Sequence, residues 1–207
     1  MVRLLNCEYI DGHTFCELNF LKTNNSEKSK PANSVIVWTC FIDEIKILLI
    51  QLDKSYKMGT IGVSEGEIIT LAFEYAARKK LPVITVAVSG GIRVNEGSLA
   101  LMQMTKMATV VKQHSDKGLL YISIITNPTL GGTSASFASL ADIIIAEKGA
   151  VFGFSGKRII MDTTREKLPD DFQTAEYAKK HGMVDIVADK SEIKCIVSKL
   201  LNIHKNR

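Results

Sequence analysis

Apolar and polar positions along this chain alternate between short dense blocks and longer periodic ones. Residues 34–42 (SVIVWTCFI) and 45–52 (IKILLIQL) are rich in β-branched and aromatic residues, which suit a pleated, half-buried surface. Asp43-Glu44 between them predicts a hairpin. The segment 58–62 (MGTIG) reads as a glycine-punctuated loop. From Ser64 to about Lys80 the pattern becomes helical, with Ile68, Leu71, Ala72, Tyr75 and Ala76 on one face. Ser64 is the expected N-cap, with Glu65 and Glu67 at the positive end of the helix dipole. Pro82 ends that helix and opens a strand at 83–88.

A second helix is predicted over 95–113. Leu99, Met102, Met107 and Val110 recur near helical spacing, and Gln103 and Lys106 fall on the polar side. Its methionines (Met102, Met104, Met107) read as packing residues rather than a cofactor box. Any part of that helix left exposed is a surface for a partner. Gly118 closes the exit. A strand over 119–125 then runs into Thr126-Asn127-Pro128, where proline is expected to stop it. Gly131-Gly132, a short helix over 134–141 and a strand over 142–146 follow. Further on, a helix over 172–181 closes at Gly182, a short strand covers 184–187, and Ser191 caps a last helix through about Leu201. Residues 1–20 show no clean period, and 22–33 (KTNNSEKSKPAN) is polar. The division expected is an N-terminal arm and polar linker (1–33) followed by one α/β domain (34–207).

One unit occurs twice: a strand, a Gly-Gly turn, then a helix. It follows Val88 as Ser89-Gly90-Gly91-Ile92-Arg93 and follows Ile125 around Gly131-Gly132. Repetition of such units predicts an α/β spiral with its strand ends feeding one crevice, where open α/β structures place ligands. Glycine admits a ligand close to main chain, and the first turn of a helix offers free N–H groups. Together they can form an oxyanion hole from backbone alone. The plainer reading of each pair is a tight turn that lets a helix pack on a sheet.

Composition sets bounds on this reading. Apolar residues make up 46% of the 207 and charged residues 23%, which suits a globular domain with a sizeable core. The net charge of +4 is spread out and does not point to nucleic acid. Local groups (Arg78-Lys79-Lys80; Lys194, Lys199, Lys205, Arg207) read as solvated faces that can also attract a nucleotide phosphate. Cys7, Cys16, Cys40 and Cys195 show no CxxC spacing, so no zinc site is expected. They are expected as reduced thiols, with Cys40 and Cys195 in the core. Charges interrupt every apolar run before membrane-spanning length, and no secretory pattern opens the chain, so a cytoplasmic protein is expected. His13, His114, His181 and His204 read as structural or exposed, and no Ser/His/Asp spacing suggests a nucleophile.

The phrases SGGIRVNEGSLALMQMTKMA, GLLYISIITNPTLGGTSASFASLADIIIAEKGAVFGFSGKRII and TREKLPDDFQTAEYAKKHGMVDIV resemble the β subunit of bacterial acetyl-CoA carboxylase carboxyltransferase, continuously from about Lys57 to Val187. The resemblance implies a crotonase-like (ClpP-like) ββα superhelix. It implies transfer of a carboxyl group from carboxybiotin, on a separate biotin carboxyl carrier protein, to acetyl-CoA, giving malonyl-CoA. It also implies a carboxyltransferase α-type partner subunit. On this resemblance Gly131 and Gly132 are the oxyanion donors. Gly90, Gly91, Ile92 and Arg93 bind the acyl-CoA, and Met58 and Gly59 belong to a loop beside the CoA cleft. Arg93 has a second reading, an ion pair with Glu96. The chain departs from the family pattern in lacking a four-cysteine zinc ribbon, and in Ile92, Asn95 and Asn127, where alanine, glutamine and aspartate are usual. Ile92 is expected to narrow or re-aim the thioester site. A non-catalytic scaffold or regulatory paralogue, or a related acyl-CoA carboxylase or decarboxylase subunit, is the alternative.

Overall fold

The computed structural model describes residues 33–205 together with the two-residue strand Glu8–Tyr9. The expectations for Cys7, His13, Cys16, Arg207 and nearly all of the 1–33 arm lie outside the described residues. Seven strands form one sheet in chain order: β1 (Glu8–Tyr9), β2 (Val35–Ile42), β3 (Ile45–Leu52), β4 (Val83–Ser89), β5 (Tyr121–Thr129), β6 (Ile143–Glu147) and β7 (Ile186–Ala188). β1, β2 and β3 pair antiparallel, and β3 through β7 pair parallel. Each parallel pair requires a crossover. The crossovers are α1 (Val63–Lys79), α2 (Gly97–Ser115), α3 (Gly131–Ser136), and then α4 (Lys157–Thr164) with α5 (Ala175–Lys180). The last helix, α6 (Ile193–His204), ends the described fold.

Alternation along the strands sorts side chains into two cores. Leu48, Ile50, Val83, Ala87 and Tyr121 face one core with Phe73 of α1, Met107 of α2 and Ala178 of α5. Ile47, Leu49, Ile84, Val86 and Ile122 face the other, which Ile193, Val197 and Leu201 of α6 cover. Helices α1, α2 and α5 thus share one face of the sheet, and the chain winds as a coil. Between each long strand and its helix lies a short extended segment. These segments pair in turn at Ile61↔Ile92, Thr129↔Phe152 and Val151↔Thr174. Each coil therefore contributes a long strand, a short strand and a helix, the ββα repeat that the resemblance implied.

Several local expectations need correction. Gly62, not Ser64, caps α1, because the Glu65 carboxylate turns back to accept the Gly62 N–H at 3.0 Å. The buried stripe of α1 runs through Ile69, Ala72, Phe73 and Ala76, with Ile68, Leu71 and Tyr75 at its margin. On α2, Gln103 is buried while Leu99 and Met102 are exposed. Gly66 of α1 leaves the groove that admits Gln103: a methyl there would lie 2.5 Å from its Oε1. β5 does not stop before proline but runs through a cis Asn127–Pro128 peptide and rejoins β4 at Ser89↔Thr129. The helix expected at 134–141 starts at Gly131 and breaks at Phe137. The helix expected at 172–181 begins only at Ala175, where the Thr174 hydroxyl caps it. Ser191 is not the cap of α6; Glu192 is. Cys195 is exposed, because it lies two residues from Ile193 and Val197 and so off the buried face of α6.

Candidate active site

The two glycine turns leave the C-terminal ends of neighbouring parallel strands, β4 and β5, and meet. A methyl built on Gly131 would lie 3.0 Å from the Gly91 Cα, and one on Gly91 would lie 3.3 Å from the Gly131 Cα. Both residues also hold positive φ, 118° at Gly91 and 64° at Gly131, which L-residues with a side chain rarely adopt. Main-chain bonds knit the turns to their neighbours. Gly90 N–H donates to Met58 O (2.9 Å), Ile61 N–H to Gly91 O (3.0 Å), Leu130 N–H to Ser89 O (2.9 Å) and Gly131 N–H to Phe154 O (2.8 Å). The Ser89 and Thr133 hydroxyls bridge the turns at 2.9 Å. Ser134 Oγ ties Gly131 O (2.6 Å) to Gly153 O (2.9 Å).

These bonds decide which amides face a ligand. Gly131 was expected as an oxyanion donor, but its N–H is already held by Phe154 O. The Gly90 N–H is held by Met58 O, and the Gly91 N–H by the Ser89 hydroxyl at 3.0 Å. The amides around the turns that make no hydrogen bond among the described residues are those of Ile92, Gly132 and Thr133, of which Ile92 and Gly132 belong to the two turns themselves. Gly132 is the second residue of α3, so its N–H has no intrahelical acceptor. Ile92 lies against it. A methyl on Gly132 would sit 2.3 Å from Ile92 Cγ1 and 2.9 Å from Met104 Sδ. The sequence offered no signal for the Ile92 amide, because its freedom depends on which neighbours its turn pairs with.

Arg93 is turned into the protein. Its guanidinium is 6% exposed and bonds Glu65 and Glu96, each at 2.7 Å, and Thr60 O at 2.9 Å. The ion pair with Glu96 that the sequence suggested is present, and it extends to Glu65 of α1. Burial opposes charge on Glu65, but hydrogen bonds from Arg93, from its own N–H and from Gly62, with the Arg93 charge, hold its carboxyl below the ordinary value. Burial likewise opposes charge on Arg93, and bonds to Glu65 and Glu96 raise its pKa. The network clamps the Met58–Gly62 loop to the Gly90–Ile92 turn. Gly59 sits tightly there (φ 66°), where a methyl would fall 2.1 Å from Val88 O. Met58 is 59% exposed at its edge. Asn127 Oδ1 accepts the Val151 N–H at 3.1 Å, tying β5 to the segment leading to Phe154. Among the described residues, no three His, Cys, Asp or Glu side chains gather to hold a metal.

The model of the carboxyl transferase domain matches residues 9–205 of this chain. The chain belongs to the carboxyl transferase family. The acetyl-coenzyme A carboxylase carboxyl transferase subunit beta 1 of Lachnospira eligens is 45% identical over 190 residues, 92% of this chain and 72% of that protein. The beta subunit of Clostridium botulinum (strain Loch Maree) is 43% identical over 183 residues, covering 88% of this chain and 63% of its own length. That of Prochlorococcus marinus (strain NATL1A) is 44% identical over 175 residues, covering 84% and 60%. Within the carboxyl transferase family the chain is thus of the acetyl-CoA carboxylase β-subunit type, and it spans about two thirds of these relatives. Among solved structures, the transcarboxylase 12S with methylmalonyl-coenzyme A bound superposes with a TM-score of 0.76 at 28% identity, over 84% of this chain and 34% of that one. The Pseudomonas malonate decarboxylase MdcD–MdcE hetero-dimer gives 0.72 at 19% identity, over 97% and 89%. The fold is therefore the crotonase-like fold expected of the family.

Proposed function

We propose that this chain is the β-type half of a carboxyltransferase that moves a carboxyl group from carboxybiotin on a carrier protein to acetyl-CoA, giving malonyl-CoA. The observation that carries the reading is the pair of unbonded amides, Ile92 and Gly132, on two glycine turns that touch. The acetyl methyl must lose a proton and attack the carboxyl carbon, and the thioester oxygen gains negative charge as it does so. Two N–H groups held by the fold meet that charge without reorganising, and loss of one such donor typically costs a factor of about 10²–10³. The biotin ureido group, once its carboxyl group leaves, is itself basic enough to take the proton, which accounts for a site without a side-chain nucleophile. Gly90, Gly91 and the Met58-Gly59 loop form the wall along which the CoA thioester lies. Ile92 and Met104 close the space over Gly132 and favour a small acyl group. Arg93 positions the wall and does not touch substrate.

The other half of the site comes from an α-type partner subunit. Its docking surface is the exposed apolar margin near the turns: Met58, Val94, Leu99, Leu101 and Met102, with Phe154, whose carbonyl holds the Gly131 N–H. The substitution Gly132→Val tests the assignment. The complex of this chain with its partner should lose at least about 10²-fold in carboxyl transfer while keeping its far-ultraviolet spectrum and co-elution. Retention of full transfer by a folded Gly132→Val complex would remove Gly132 from the site.

A further inference from the structure

The glycine turns stand at the C-terminal ends of the parallel strands. A second concavity lies at their opposite ends, about 20 Å away by strand length. It has a volume of about 450 Å³, inside the ~300–1,000 Å³ range of small-molecule sites. Its lining is of two kinds. Ile45, Pro82, Leu119, Leu120 and Leu201, at the strand starts and on α6, form an apolar part. Lys46, Lys80, Lys205 and His204 supply cationic or basic groups. One acid, Asp142, also lines it, and its carboxylate accepts the Tyr121 N–H at 2.8 Å.

The three lysines make no ion pair among the described residues. Lysines near helix C-termini often serve only to balance the helix dipole, as Lys205 can at α6, yet at α1 and α2 other groups meet the helix ends. Lys117 Nζ donates to Ala77 O of α1 at 3.1 Å. The Leu81 N–H returns to Ala76 O, and the Asp116 and Lys117 N–H groups to Lys112 O and His114 O of α2. Lys46 belongs to a strand, not to a helix end. Three lysines thus line the pocket beside an apolar floor and one carboxylate, whose hydrogen bond goes to main chain.

We propose that this pocket is a second ligand site, separate from the carboxyl-transfer site, for a soluble organic anion with an apolar body and a phosphate or carboxylate head. Isothermal titration of the full chain with octyl phosphate, below its micelle concentration, tests it. The expectation is one saturable site, at least about tenfold tighter (1.4 kcal/mol) than for inorganic phosphate or 1-octanol. Amide NMR shifts should centre on Gly118 and Leu120 and leave Gly91 and Gly132 unmoved. Lys46→Glu/Lys80→Glu changes only exposed side chains and should weaken binding at least about tenfold, with an unchanged melting temperature. Ser115→Trp, which puts a large ring on a residue of the pocket lining and keeps the charges, should do the same. Absence of saturable binding, equal affinity in both variants, or shifts at the glycine turns would each overturn the proposal. So would inorganic phosphate binding as tightly as octyl phosphate, or capture only by anionic phospholipid vesicles.

Discussion

Ile92 and Gly132 show how little room the site leaves. A Gly132→Ala methyl would fall 2.3 Å from Ile92 Cγ1, well inside contact, so Ile92 or the turn must shift. Overpacking of this kind costs about 1–3 kcal/mol. Urea unfolding should register that loss in Gly132→Ala and its recovery, for the most part, in the Ile92→Ala/Gly132→Ala pair. Additive losses would mean that the two side chains do not compete for this space. Arg93 makes a different prediction. Arg93→Met leaves the fully buried Glu65 carboxylate without its cation, a loss of about 3–5 kcal/mol at neutral pH. In the wild type the Glu65 pKa lies below its ordinary 4.5. Its contribution is therefore complete above that pH and drains as pH falls through the lower folded value. Melting temperatures followed below about pH 4.5 should fall more steeply in the wild type than in Arg93→Met. Parallel slopes would show that Arg93 does not set the Glu65 pKa.

Among the elements, α2 divides by face. Ala100, Gln103, Met107, Val110 and His114 are buried, and Leu99, Leu101 and Met102 are more than 60% exposed. Leu99→Asp/Met102→Asp should leave the chain's own stability within about 0.5 kcal/mol and abolish co-elution with the α-type partner. Unimpaired assembly would place the partner elsewhere. At the far end of α2, His114 Nε2 lies 2.9 Å from Leu81 O, and its ring packs edge-on to Phe73. Burial lowers its pKa below the ordinary 6.5. Neutral His114 therefore adds stability that is complete above pH 6.5 and is lost as pH falls through the depressed folded value. This scale also marks where sequence reading succeeds. Strands β2 to β5 and helices α1 and α2 were legible because their periods reflect burial within one element. The rotated stripe of α2 was not, because Gly66 on another helix creates the groove that Gln103 fills. The proline in β5 misled for a similar reason: neighbouring strands, not local preference, carry the chain past it.

Over the whole molecule, one winding sense of crossovers brings turns some 40 residues apart into van der Waals contact. The repeated Gly-Gly turns were readable because glycine marks backbone crowding directly. Which amides remain open was not readable, since Phe154 O and Met58 O come from other parts of the chain and the Ser89 hydroxyl reaches the Gly91 N–H only in the folded turn. The Arg93–Glu65 pair was hidden likewise, its members 28 positions apart in the sequence. On the proposed reading the site is half of one, bordered by exposed apolar residues, and its chemistry waits for a partner. Carboxyl transfer from malonyl-CoA to biocytin, the reverse reaction, measures this directly, first with the chain alone and then with an α-type subunit added. Turnover is expected only in the mixture. Equal turnover by the chain alone, or none in a mixture that assembles and binds CoA, would contradict it.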